Sequence, residues 1–251
     1  MGVVRRWLFR LLSLLAWLLI WLLLSRRIGQ QIILPSPGSV LARLAALVAT
    51  PSFWSSILFS FGRIVSGFLL GLTAGGLLAA AGARFLAVRE FFSPVMTLIK
   101  ASPVASFTIL LLTWVPSRNL SVVIAFLMVL PIVYTNLLTG ISQTPALLLE
   151  MADLFEIGWA GRLRCIYLSE LLPYLRSACA LSLGLCWKAG IAAEVIGIPA
   201  GSIGERLYDS KIYFDIPELF AWTAVIVLIS LVFGRLFLAL LDAAVHAVER
   251  M

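Results

Sequence analysis

The stretch Leu120-Ser-Val-Val-Ile-Ala-Phe-Leu-Met-Val-Leu-Pro131-Ile-Val-Tyr-Thr-Asn-Leu-Leu138 carries no charged residue, and Arg118-Asn119 precede it. A bilayer core about 30 Å thick takes about 20 apolar residues of helix, because in lipid the backbone N–H and C=O groups find partners only within the segment. The stretch therefore reads as a transmembrane helix. Working outward, five more runs have the same character: Trp7 to Leu24, about Ile57 to Ala81, Phe92 to Val115, Leu171 to Ile198 and Leu219 to Val245. The sequence predicts an all-α integral membrane protein of about six transmembrane helices, multi-pass in the plasma (inner) membrane of a bacterium. Composition agrees: 62% hydrophobic and 12% charged residues with a mean hydropathy of +1.07 exclude a soluble globular chain.

Punctuation between the runs sets the organisation. Arg5 and Arg6 precede the leucine-rich first run, but Ser25-Arg26-Arg27 follow it without a small-x-small cleavage site, so it is read as a retained span. Pro35-Ser-Pro37-Gly38 is a turn, and Val40 to Ala49 reads as a short interfacial helix. Pro116-Ser-Arg118-Asn119 is a tight turn, and Gly201 to Pro217 an outer loop. This divides the chain into an N-terminal span with its interfacial segment (1–56) and a five-span core (57–251), with a long loop at 140–170 between spans four and five.

The net charge of +7 is spread over the ends of apolar runs, which suits headgroup anchoring and contact with membrane lipid rather than nucleic acid. With the N-terminus inside, Arg5, Arg6, Arg10, Arg84, Arg89, Arg162, Arg164, Arg176 and Arg250 lie on the inner side. Arg26, Arg27, Arg43, Arg118, Arg206 and Lys211 lie outside, so the bias favours N-in, C-in and makes loop 140–170 cytoplasmic. Cys179 and Cys186 are about 10 Å apart along one helix, too far for a disulfide. With Cys165 and the single His246 they supply no metal cluster.

Six ionisable groups fall at membrane depth: Arg63, Lys100, Lys188, Glu194, Arg235 and Asp242. Such groups are costly in lipid and face protein or water. Arg235 and Asp242 are seven apart on one face of the last span, and Lys188 and Glu194 are out of phase on theirs. Lys100 precedes Ser102-Pro103, where the missing proline N–H kinks or breaks span three. Gly67, Gly71 and Gly75 form a small-xxx-small row that serves close packing within the subunit, a path wall or a subunit contact. A water-filled path at one depth, lined by Lys100, Ser102, Pro103, Lys188, Gly190 and Glu194, accounts for these features. A buried Lys100 to Glu194 ion pair competes with it.

In loop 140–170, Leu147, Leu148, Met151, Leu154 and Phe155 recur at helical spacing opposite Glu150, Asp153 and Glu156, which predicts an amphipathic helix ending near Gly158. A second short helix carries Arg162 and Arg164. Two such helices tethered between spans suit docking into a groove of a cytoplasmic partner.

At this loop Glu150-x-Ala152, the Gly158 region, Ile166-x-Leu168 and Pro173 resemble the Glu-Ala-Ala loop of permease subunits of bacterial ABC importers. Lys100-Ala-Ser-Pro-Val-Ala-Ser-Phe107, Phe126-Leu-Met-Val-Leu-Pro131, Trp187-Lys-Ala-Gly190-Ile-Ala-Ala-Glu194-Val-Ile-Gly197 and Gly201-Ser-Ile-Gly204-Glu are similar to the nitrate, sulfonate and taurine branch. The resemblance runs from about Pro35 to Leu241. Two departures stand out: the family's glycine six residues after the glutamate is Glu156, with Gly158 displaced by two, and the proline expected after Leu168 is Ser169. A displaced glycine predicts a first coupling helix longer by about half a turn.

The resemblance implies a transport subunit that is not itself an enzyme and binds no cofactor, ATP and Mg being held by two partner ATPase subunits. It also implies a second permease copy, an extracytoplasmic binding protein, and a small substrate such as a sulfonate, nitrate, taurine or a pyrimidine-type precursor. Glu150, Ala152, Asp153, Leu154, Phe155, Gly158, Arg162 and Arg164 become the ATPase-coupling residues. The sequence holds no Gly-x-x-x-x-Gly-Lys-Ser/Thr loop of its own. A membrane-embedded enzyme, such as a lipid-modifying transferase, is the alternative from another class, and it lacks a catalytic base or metal cluster in the sequence. A passive channel comes third.

Overall fold

A computed structural model describes residues 3–162 and 166–249. Arg164, Cys165 and Arg250 lie outside the described residues, as does the side chain of His246. Among the described residues the chain is helical, in the order α1 (Val3–Ile28), α2 (Pro37–Val48), α3 (Pro51–Arg84), α4 (Leu86–Ala101), α5 (Val104–Leu111), α6 (Ser117–Ser142), α7 (Ala146–Leu154), α8 (Trp159–Arg162), α9 (Leu168–Gly197), α10 (Ile203–Ile212) and α11 (Ile216–Glu249). Five helices are long and apolar enough to cross a bilayer, within α1, α3, α6, α9 and α11. The sixth expected span is α4 and α5, and it is broken rather than continuous, with its halves bent by 107°. The break falls where Pro103 supplies no N–H and holds Ser102 extended at φ −73°, ψ 128°.

The core is a triangle of α3, α6 and α9, in which α6 makes the most extensive pairings with the other two. α3 and α6 run parallel, and the glycine row is the reason they can: Gly67, Gly71 and Gly75 are buried against Val122 to Ala125, Phe126 to Val129 and Leu130 to Val133 in turn. Close backbone approach substitutes for the hydrophobic drive that lipid does not provide between helices. Of the readings open for this row, packing within the subunit is the one observed. α9 runs antiparallel to both. Its Cys186, Trp187 and Ile191 join Phe68 and Val129 in the main core, and Phe61, Phe233 and Phe237 pack around it. α5 covers the α6–α9 seam through Val104, Phe107 and Leu111, while α4 lies on the α3–α6 side through Met96 and Ile99.

The outer loop expected at Gly201 to Pro217 contains a helix. Ser202 caps α10 by accepting from the Glu205 N–H at 3.0 Å, and the Glu205 carboxylate accepts from the Gly201 N–H at 2.7 Å, a reciprocal box written in Ser202-x-x-Glu205. α2 is held at this same end by Arg43, which pairs with Asp215 at 2.7 Å and Glu218 at 2.5 Å. α1 leans on the rest through three contacts near its end: Trp21 Nε1 donates to the Pro35 carbonyl, Ser25 Oγ donates to that of Leu34, and the Trp21 ring stacks on Phe220.

Candidate functional site

At the end of the bundle opposite α10, α7 presents Leu147, Met151, Leu154 and Phe155 outward, with Leu154 80% and Phe155 69% exposed. Glu150 and Asp153 are exposed as well, and Ala152 is the buried residue of the helix. The small alanine side chain lets α7 lie close, so the apolar stripe and Glu150 remain exposed, while Asp153 is held by Arg162.

The helix does not run on toward Gly158. It ends at Leu154, and Glu156 adopts the left-handed conformation at φ 53°. Ile157 N–H donates to the Ala152 carbonyl at 2.9 Å and Glu156 N–H to that of Asp153 at 3.1 Å, which is the paired bonding of a Schellman turn. The turn thus stays where the family pattern puts its glycine, with a glutamate in the glycine's conformation, and the expected half-turn extension is absent. Gly158 has no positive φ, and a Cβ added there would meet nothing within 4 Å. Arg162 closes the turn from α8: its Nε donates to the Ile157 carbonyl at 2.7 Å and its guanidinium pairs with Asp153 at 2.5 Å.

A left-handed residue with a Cβ costs about 1–2 kcal/mol. Glu156→Gly is therefore expected to stabilise the protein by about 1 kcal/mol and to raise Tm by roughly 2–4 °C in detergent. Gly158→Ala is expected to leave Tm unchanged. A fall in Tm for Glu156→Gly is incompatible with this account of the turn.

The membrane-depth charges are not gathered at one level. Lys100, exposed at the end of α4, donates to Thr135 Oγ1 at 3.3 Å. Glu194 is fully buried near the far end of α9, where its Oε2 accepts from Ser60 Oγ at 2.6 Å and from the Gly204 N–H at 3.4 Å. Ser121 of α6 lies beside the same carboxylate. Thr135 and Ser121 are fourteen positions apart on α6, about 21 Å at 1.5 Å per residue, so the competing Lys100 to Glu194 ion pair does not form. The physical reason is the 107° break, which ends α4 at the level of Thr135 on α6.

Glu194 instead holds the start of α10. Ser60 Oγ accepts from the Ile203 N–H at 2.9 Å while donating to Glu194, so one carboxylate and one hydroxyl satisfy the first N–H groups of a helix whose positive end favours an anion. Gly204 makes this possible, since any side chain there would overlap Glu194. Gly190 is likewise inside the packing, where a Cβ would meet Ile64 Cγ1 at 2.7 Å. Of the six path residues named from the sequence, Gly190 and Glu194 are buried, Lys100, Pro103 and Lys188 are exposed, and Ser102 is partly so.

Asp242 pairs with Arg176 of α9 at 2.9 Å rather than sharing a role with Arg235 on its own helix. Arg63 donates to the Arg118 carbonyl and to Asn119 Oδ1, level with the first turn of α6. Ser60, Ser121 and α10 were missed by sequence reasoning. The cap Ser202-x-x-Glu205 was a readable signal for α10; nothing local marked Ser60, 134 positions from its partner.

The description "binding-protein-dependent transport system inner membrane component" matches residues 67–250 of the chain. The putative aliphatic sulfonates transport permease protein SsuC of Bacillus subtilis is 27% identical over 87% of this chain and 76% of its own length. The nitrate import permease protein NrtB of Synechococcus elongatus is 26% identical over 77% of this chain and 72% of its own. The taurine transport system permease protein TauC of Escherichia coli is 21% identical over 92% and 82%. With its helices sized for a bilayer and its small-residue packing, the chain is a multi-pass inner-membrane permease and belongs to the family of binding-protein-dependent transport system inner membrane components.

Proposed function

We propose that this chain is the membrane subunit of an ATP-driven importer, and that two copies enclose a path for a small anionic solute. The observation that carries the reading is the exposed stripe of α7, three apolar side chains on a short helix with Phe155 at its cap, ended by the turn at Glu156. In this reading α7 faces the cytoplasm and seats in a groove of an ATPase subunit, with Glu150 and Asp153 at the polar rim and Arg162 fixing the turn. ATP and Mg sit on that partner. The α10 end faces outward and receives solute from a binding protein.

The path residues in this reading are Lys100, Ser102, Pro103 and Lys188. Lys188 projects from the exposed side of a membrane-spanning helix, where lipid would cost about 2.5–3.5 kcal/mol. Cover by water and a second copy removes that cost. Two lysines suit an anion, in keeping with the sulfonates, nitrate and taurine named for the relatives. ATP-driven closure of the ATPases moves α7, and the helices joined to it exchange inward for outward access through contacts that differ between the two states.

Co-expression with a candidate ATPase subunit and binding protein from the same genome tests the reading. Copurification of a complex whose ATP hydrolysis rises on adding loaded binding protein is expected; a chain that purifies alone and conducts solute without ATP would sink it.

A further inference from the structure

At the α10 end, two guanidiniums share one aromatic ring. Arg63 lies 4.3 Å from the Phe59 ring centroid and Arg118 lies 6.0 Å from it. Both guanidiniums lie over that ring, Arg118 exposed and Arg63 partly buried. Among the described residues neither is in an ion pair; the pairs belong to Arg43, Arg162 and Arg176. Arg63 spends donors on the Arg118 carbonyl and on Asn119, while the Arg118 guanidinium makes no such bond among the described residues.

Two turns along α3 from Arg63 and one turn along α6 from Arg118, a groove of about 380 Å³ runs between the two helices, lined by Leu70, Ala74, Leu77, Val122, Val123 and Phe126. Its alignment with the arginines follows from helix geometry. Arg63, Leu70 and Leu77 are spaced by seven, hence on one face of α3, and Arg118 with Asn119 lead into Val122 and Phe126 on α6. The parallel course of the two helices, set by the glycine row, keeps both stripes side by side. From Leu70 to Leu77 the groove extends about 10 Å along α3, and Arg63 lies about 10 Å beyond it. Arginine and groove together span about 21 Å, enough for a headgroup and an acyl chain in one leaflet of a core about 30 Å thick. Trp114, exposed on the turn before α6, marks the same level as the headgroup boundary.

We propose that this groove is a binding site for an anionic phospholipid, its phosphate on Arg63 and Arg118 and an acyl chain between α3 and α6. Charge complementarity chooses the occupant. A helix of a second copy would fill the groove and leave two adjacent cations unanswered, and a neutral lipid would carry its own cation to them. A soluble anion would satisfy the arginines but leave the apolar groove, open to the bilayer along its side, unused. The site is separate from the path residues and from α7, and its test does not read transport.

Native mass spectrometry of the full chain, copurified with its partners in detergent, measures occupancy from an equimolar mixture of phosphatidylglycerol and phosphatidylcholine with matched chains. A preference of about tenfold for phosphatidylglycerol is expected. Arg118→Gln removes a guanidinium that holds nothing in place, so it is expected to keep Tm and lose most of the preference, while Arg118→Lys retains it. Ala74→Phe, which fills the groove below intact arginines, is expected to lower binding of both lipids. Equal binding of the two lipids by the unmodified chain overturns the proposal, as does an unchanged preference in Arg118→Gln. Full displacement of phosphatidylglycerol by inorganic phosphate or octanesulfonate overturns it too, because the site then takes a soluble anion. So does efficient cross-linking between two copies carrying Leu77→Cys, because the face is then a subunit contact.

Discussion

Gly71→Leu is expected to abolish the folded protein. A Cβ at Gly71 falls 2.7 Å from the Cβ of Val129 and 3.0 Å from the Phe126 carbonyl oxygen, so even the first added atom has no room. Neighbouring positions give no slack. A Cβ at Gly75 falls 2.9 Å from the Leu130 carbonyl oxygen, and one at Gly67 meets that of Val122. Overpacking a core by a methylene or two costs about 1–3 kcal/mol when side chains adjust. Here the obstacle is the backbone of α6, so α3 and α6 must separate along their length, which also undoes the α6–α9 pairing built on the same helix. Gly62→Leu is the control, because nothing lies within 4 Å of a Cβ there. Size-exclusion chromatography in detergent is expected to give a monodisperse peak for Gly62→Leu and aggregate for Gly71→Leu. A folded Gly71→Leu protein would mean that the parallel α3–α6 contact does not hold the bundle together.

That glycine row was legible in the sequence, and so were the spans, for a common reason. Both are local patterns: a run long enough to cross lipid, and small residues every fourth position on one helix face. The break at Ser102-Pro103 was legible too, since a proline lacks its N–H wherever it sits. Its angle was not, because 107° is set by what α4 and α5 pack against, namely Tyr134 on one side and Ala189 with Ala193 on the other. The competing Lys100 to Glu194 ion pair needs both side chains at one level, and their partners Thr135 and Ser121 lie about 21 Å apart along α6. Glu194 found Ser60 and the first N–H groups of α10, partners that no spacing rule connects. At Glu156 the family pattern outweighed local chemistry. Glycine preference points to Gly158 as the helix end, but the bonds from Ile157 to Ala152 and from Glu156 to Asp153 fix the turn two residues earlier.

The coupling face gives the second large effect. Leu154 and Phe155 are 80% and 69% exposed, so replacing both with lysine removes no internal packing. Surface changes of this kind lie within about 0.5 kcal/mol of neutral, and Tm is expected to stay unchanged. If α7 seats in an ATPase groove, the same two residues are its central apolar anchors. Anchors of this sort contribute about 2 kcal/mol or more each, so the pair should weaken the complex by about a thousandfold. Binding-protein-stimulated ATP hydrolysis is then lost in reconstituted vesicles while the permease still inserts. Glu150→Lys tests the rim separately. A rim charge acts mainly on the association rate, so its effect is expected to be smaller and to fade as salt is raised. The contrast identifies docking: a large, salt-insensitive loss from Leu154→Lys with Phe155→Lys, and a modest, salt-sensitive one from Glu150→Lys. Normal coupling in the double variant would leave α7 without a partner and would move the ATPase contact elsewhere on the chain.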